Sequence, residues 1–223
     1  MIDLRHRVVA RFRGGAVTER ELEAILAQGH ETQGVEFKGP GKLTNSAFLA
    51  SVIRAMLGLA NHRDGGHVIL GVDSESLEPT GLDDDEAASW LNYDALAPAV
   101  NEYASPSVSF DVQSLRFREN KIVIIRVEEF VEIPILCKKE FQGPGKKSPV
   151  LRRGACYVRA SHKPETSEIP SEQEMRELLE LAIDKGVTRF LARAQRLGLF
   201  FAVPGPRTEG DLSRFQKQLE EME

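Results

Sequence analysis

The chain has 223 residues, 41% of them hydrophobic and 28% charged, with a formal net charge of -5 and two cysteines. That length suits one generous domain or one domain with an appendage, and the composition is that of a soluble globular protein. No apolar run is long enough to cross a bilayer and no signal-peptide pattern is read, and Cys137 and Cys156 alone are too few for a zinc site, so reduced, packed thiols in a cytoplasmic protein are expected.

The first segment, with Arg5, Arg7, Arg11 and Arg13, reads as a basic arm over 1–17. Thr18-Glu-Arg-Glu21 has the form of a capping box, Leu22, Ile25 and Leu26 share one helical face, and Gly29 is the stop. Next comes Glu31-Thr-Gln-Gly-Val-Glu36-Phe-Lys38, in which Val35 and Phe37 alternate with Glu36 and Lys38. This is a strand with one apolar and one charged face. Two carboxylates and an ammonium on such a strand can hold a divalent cation and steady a phosphate, although an exposed ion pair has the same sequence.

Thr44 or Asn45 caps a long helix to about Asn61, with Phe48, Val52, Ile53, Met56, Leu57 and Ala60 turned to a core. Asp64-Gly65-Gly66 is a turn, and residues 67–72 form a strand apolar on both faces, hence central. One helix over roughly 84–103 carries Trp90, Leu91, Leu96 and Val100. Strands over about 107–117 and 121–128 are joined as a hairpin at Arg118-Glu-Asn120. Short strands at 133–138 and 156–159 complete a sheet, and a helix starts at Ser171 or Glu172 and reaches about Arg196. Val203-Pro-Gly-Pro206 then breaks the chain before an amphipathic tail at 211–222. The expected class is α+β, with helices flanking a mixed, largely antiparallel sheet. The expected division is a basic arm over 1–17, the domain over 18–198 and a linker with tail over 199–223.

Charge is segregated along the chain. Residues 138–163 carry Lys138, Lys139, Lys146, Lys147, Arg152, Arg153, Arg159 and Lys163 against one acid, Glu140. Residues 73–86 carry only acids, among them Asp73, Asp83, Asp84 and Asp85. The basic segment reads equally as a face for a polyanion or as an ordinary solvated loop around Gly143-Pro144-Gly145. The acidic one could instead receive a basic protein. His67 and His162 read as packing or surface histidines.

Four blocks, taken in order, resemble the Schlafen AlbA-like domain family. They are Glu31-Thr-x-x-Val-Glu36-Phe-Lys38, Leu59-Ala-Asn61 with Gly65-Gly66, Val68-Ile-Leu-Gly71-Val72-Asp73 with Thr80-Gly81, and Tyr157-Val-Arg159-Ala-Ser161, spanning about 20–182. The resemblance implies a metal-dependent endoribonuclease acting on tRNA or other structured RNA, in a stress or anti-phage role. It implies Glu31, Glu36 and Asp73 as a three-carboxylate site for Mg²⁺ or Mn²⁺. Beside them Lys38 is the fourth expected catalytic residue, its ammonium set against the scissile phosphate. The family often places its third acid where this chain has Ser74, and Asp73 is taken in its stead. RNA contact is expected from Lys138, Lys139, Lys146, Lys147, Arg152, Arg153 and Arg159. Vertebrate Schlafens join two related halves, so a homodimer is implied. Some relatives are nucleic-acid-binding modules without known chemistry, and a non-catalytic regulatory module binding DNA or RNA is the alternative.

Overall fold

The computed structural model describes residues 16–145, 147–160 and 165–198. Helix α1 (Glu19–Leu26) starts at the expected capping box: the Thr18 hydroxyl accepts from the Glu21 amide and the Glu21 carboxylate accepts from the Thr18 amide. Strand β1 (Val35–Lys38) follows, then α2 (Ser46–Ala60), whose first amides donate to the Asn45 side chain. The turn at Gly65, with φ +69, leads into β2 (Gly66–Leu70), which is buried throughout. A Cβ on Gly66 would stand 2.5 Å from the Gly34 carbonyl oxygen, so the loop before β1 packs directly on this glycine.

The single helix expected over 84–103 is two, α3 (Asp84–Leu91) and α4 (Tyr93–Asn101). The chain breaks at Asn92, whose non-helical backbone (φ -75°, ψ 87°) ends α3 while its side chain accepts from the Ala95 amide and caps α4. Strand β3 (Ala104–Ser105) is short; β4 (Phe110–Phe117) and β5 (Asn120–Val127) form the expected hairpin. Its turn residues Arg118 and Glu119 both have positive φ, the combination a two-residue turn of this hand requires. Strands β6 (Leu136–Cys137), β7 (Tyr157–Arg159) and β8 (Thr166–Glu168) precede α5 (Glu172–Arg196).

The main sheet has the order β1-β2-β5-β4, with β1 and β2 parallel and the other pairs antiparallel. The later strands do not complete it. They pair as two small ribbons, β3 with β6 and β7 with β8, linked by a bridge between Leu136 and Cys156.

Each face of the main sheet builds a core. On one side Val68, Leu70, Val123, Ile125 and Val127 meet α2, α3 and α4 through Val52, Met56, Trp90, Leu96 and Val100. On the other Val35, Phe37, Ile69, Ile122 and Ile124 meet Leu22 and Ile25 of α1. Burial on both faces is why β2 and β5 read as continuous apolar runs. The chain divides into two units, Met1–Ala182 and Ile183–Glu223, with the boundary inside α5. Both cysteines are free thiols, and burial pushes the Cys156 thiol up to about 11. Among the described residues no helix is long and apolar enough to cross a membrane. The arm over 1–15 and the tail over 199–223 lie outside the described residues.

Candidate nucleic-acid interface

Strand β1 is an edge of the main sheet, and an edge leaves backbone groups that must find partners. Two of the residues singled out in the sequence supply them. The Glu31 carboxylate accepts from the Phe37 amide at 2.9 Å, and the Arg159 guanidinium donates to the Val35 carbonyl at 2.9 Å. Arg159 reaches from β7 and also donates to the carbonyls of Thr32 (2.9 Å) and Gln33 (3.1 Å), so it gathers the whole approach to β1.

Glu36 sits on the side of the sheet that Val68 shares, beneath the β7–β8 ribbon. Its Oε2 accepts from Arg159 at 2.6 Å and from the Thr166 hydroxyl at 2.7 Å, while its Oε1 is 2.6 Å from Lys38 Nζ. Glu31 lies 3.7 Å from the same guanidinium. Burial pushes the Glu31 carboxyl above the usual carboxylate range, opposed by the Phe37 amide and reinforced by Glu36. The four charges sum to zero, and Arg159's side chain has 0% of its surface exposed. Thr166 is held in place from behind: a Cβ on Gly58 of α2 would come within 2.6 Å of its methyl group.

The structure thus brings together Glu31, Glu36, Lys38 and Arg159. It corrects the expected role of Arg159, which is a buried anchor and not a phosphate contact. A guanidinium with no exposed surface cannot meet a phosphate without dismantling the cluster. Asp73 is not drawn into this group. Strand β2 ends at Leu70, and Asp73 opens a turn in which its Oδ1 accepts from the amides of Ser76 (2.8 Å) and Glu75 (3.1 Å) and from the Ser76 hydroxyl. These bonds, the Ser76 amide foremost, hold its carboxyl below the ordinary range.

The residues expected to ligate Mg²⁺ or Mn²⁺ therefore do not fit that role as they stand. Both oxygens of Glu36 and one oxygen each of Glu31 and Asp73 already accept from protein donors. Among the described residues no group of three His, Cys, Asp or Glu side chains is placed to hold a metal ion. Four other acids of 73–86 have local roles: Asp83 and Glu86 form a capping box at α3, Asp84 pairs with Lys121, and Asp85 with Lys42.

The basic segment is a folded ribbon. The Cys137 amide donates to the Ala155 carbonyl (2.9 Å), Gly154 to Cys137 (2.7 Å), Phe141 to Leu151 (2.8 Å) and Val150 to Phe141 (2.9 Å). This pairing sets Lys138 and Lys139 across from Arg152 and Arg153, with Lys147 near the tip, and all five are exposed. Lys139 pairs with Glu102 of the α4 end, and Arg152 pairs with Glu168 of β8. Lys146 and His162 lie outside the described residues.

Asn61 is the residue whose work the sequence did not disclose. Its side chain donates to the Ile135 and Tyr157 carbonyls (2.8 and 2.9 Å) and accepts from the Ile135 amide (2.8 Å). It ties the end of α2 to the root of the ribbon and to β7. Its position at a helix end and in the Leu59-Ala-Asn61 block marked the residue but not these partners.

The fold is an α+β domain in which an edge strand is locked by a buried ion cluster. The family model described as Schlafen, AlbA_2 matches residues 31–167, more than half of the chain, and the chain belongs to this family. Two solved structures are similar at 19% identity. One is the DIP2311 protein of Corynebacterium diphtheriae, with a TM-score of 0.46 over 67% of this chain and 26% of that one. The other is the N-terminal domain of a RecG-related protein of Nitrosomonas europaea, with a TM-score of 0.43 over 70% of this chain and 99% of that one. The chain spans about a quarter of the first. No match was found among curated proteins.

Proposed function

We propose that this domain binds nucleic acid through the sugar-phosphate backbone, using the ribbon of residues 137–155. The observation that carries the reading is the backbone pairing that lines up Lys138 and Lys139 with Arg152 and Arg153 on one exposed element. Membership of the Schlafen, AlbA_2 family supports the partner class. Phosphate contacts from lysine and arginine carry no sequence information, so the affinity they supply is electrostatic and salt-dependent. Structured RNA such as tRNA is the first partner to test, because an A-form helix is recognised mainly by backbone and shape.

The test is fluorescence anisotropy with labelled tRNA and with duplex DNA, in EDTA, between about 50 and 200 mM salt. At roughly 0.9 per phosphate contact on duplex DNA, Lys138, Lys139, Lys147, Arg152 and Arg153 together contribute about -4.5 to the slope of log K against log salt. Lys138→Glu with Arg153→Glu weakens binding at least about tenfold and flattens that slope. Binding equal to that of the unmodified chain would remove the ribbon from the interface. The same samples with Mn²⁺ address cleavage: cut tRNA that vanishes in a folded Glu36→Gln variant would restore the metal-dependent endoribonuclease.

A further inference from the structure

The root of the ribbon carries a cation that the sequence did not flag. Helix α2 has fifteen residues and one charged side chain, Arg54. Its guanidinium carbon lies 5.3 Å from the centre of the Tyr157 ring. The Tyr157 hydroxyl accepts from the Arg152 amide at 2.8 Å, and Tyr157 is paired with Glu168 in the β7–β8 register. Glu168 in turn receives the Arg152 fork, with Nε 2.9 Å from each carboxylate oxygen and Nη2 also on Oε2. The Arg152 hydrogen bonds foremost, with the charges of Arg152 and Arg54, hold the Glu168 carboxyl below the ordinary range against the opposing effect of burial. The group holds two guanidiniums and one carboxylate, and the buried Nε of Arg54 has no acceptor among the described residues.

A planar fork closed on two oxygens of one anion is also how arginine takes a phosphate. We infer that Arg54 and Arg152 form a phosphodiester-binding subsite, and that Glu168 is a tethered competitor which fills it until a nucleic-acid backbone displaces it. This rests on the ribbon being the binding surface and adds an exchange step to it. A side chain held beside its partner acts at an effective concentration in the millimolar range or above. Free phosphate at lower concentration loses that competition. A backbone already engaged by Lys138, Lys139 and Arg153 presents its next phosphate at a comparable effective concentration, and wins. Glu168 therefore favours polyanions over single anions.

The test uses the full chain, with labelled tRNA in anisotropy and inorganic phosphate in calorimetry. Glu168→Gln keeps the side chain's shape and removes its charge. It tightens tRNA binding about three- to tenfold and makes phosphate binding measurable at millimolar concentration, where the unmodified chain shows none. Arg54→Gln weakens tRNA binding about threefold or more. Glu128→Gln, at an acid paired with Arg126 on the main sheet, makes the same change in net charge and serves as the control. In an Arg152→Ala background the gain from Glu168→Gln falls below about twofold. A gain no larger than that of Glu128→Gln, or one that survives the loss of Arg152, overturns the competitor. So does millimolar phosphate binding to the unmodified chain. Failure of the ribbon itself is read separately, from Lys138→Glu with Arg153→Glu leaving tRNA affinity unchanged.

Discussion

Arg159 and Glu36 are 123 residues apart in the chain and meet at 2.6 Å, with 0% and 9% of their side-chain surfaces exposed. Removing one member of a buried pair leaves the other charge desolvated and unmatched, which destabilises by about 3–5 kcal/mol. Arg159→Ala is expected in that range, since it also frees the carbonyls of Thr32, Gln33 and Val35. Urea unfolding of Arg159→Met, Glu36→Leu and the double variant checks it. The double variant should lose less than the sum of the singles by at least about 1 kcal/mol. Strict additivity would mean that the two side chains do not depend on each other.

The same pair shows what could be read from the chain beforehand. Alternation of Val35 and Phe37 with Glu36 and Lys38 located β1, because period-two patterning is a local signal. It could not say that the charged face is also covered, since the cover is β7 and β8, well over a hundred residues on. Arg159 looked like a phosphate contact because it stands among surface cations in sequence. Strand β7 has only three residues, all buried, and so offers no alternation from which to read its direction. Helix α1 was found at its capping box, whereas the break at Asn92 was missed because Leu96 and Val100 continue the apolar pattern across it. Asp73 was placed at the end of a strand, and its destination was decided by Ser76, whose amide and hydroxyl make it a turn residue.

Asn61→Ala removes two donors and one acceptor from buried backbone partners, the Ile135 amide and the carbonyls of Ile135 and Tyr157. An unsatisfied buried group costs about 1–3 kcal/mol, and some of the three will be rehydrated, so a loss of about 3 kcal/mol is expected. Hydrogen exchange gives the sharper readout. The Ile135 amide should lose protection before the amides of β2 and β5 do. Unchanged protection at Ile135 would remove Asn61 as the tie between α2 and the ribbon.

His67 supplies a pH dependence. It is buried on β2, and burial foremost, then the nearby Arg126, pushes its imidazole down to about 4, with Glu21 opposing. The unfolded chain, with an ordinary value of 6.5, takes up the proton first as pH falls. Well above pH 6.5 neither state carries the proton at this residue and it has no effect. Between 6.5 and about 4 the folded state loses on the order of 3 kcal/mol relative to neutral pH, at 1.36 kcal/mol per pKa unit. His67→Gln should lack that part of the decline. The comparison is the urea midpoint of both proteins at pH 7 and pH 4.5. Parallel declines would show that His67 is already charged in the folded protein or is not the titrating group.

The β4–β5 hairpin predicts a stabilising change. Arg118 and Glu119 occupy the turn with φ of 47° and 67°, a region that side chains with a Cβ enter at some expense. Asn-Gly adopts the same pair of conformations readily and is the preferred sequence for such turns. The present residues give little in return. Arg118 lies over the Phe117 ring at 5.0 Å and makes an exposed pair with Glu23 at 3.5 Å, and exposed contacts of this kind are weak in water. Relief of the backbone should exceed the loss of those contacts. Arg118→Asn with Glu119→Gly is expected to raise stability by about 1 kcal/mol, on the scale of other turn substitutions matched to their φ. Thermal and urea melts would show it as a higher midpoint with an unchanged urea dependence. A lower midpoint would mean that Arg118 contributes more through Phe117 and Glu23 than its exposure implies.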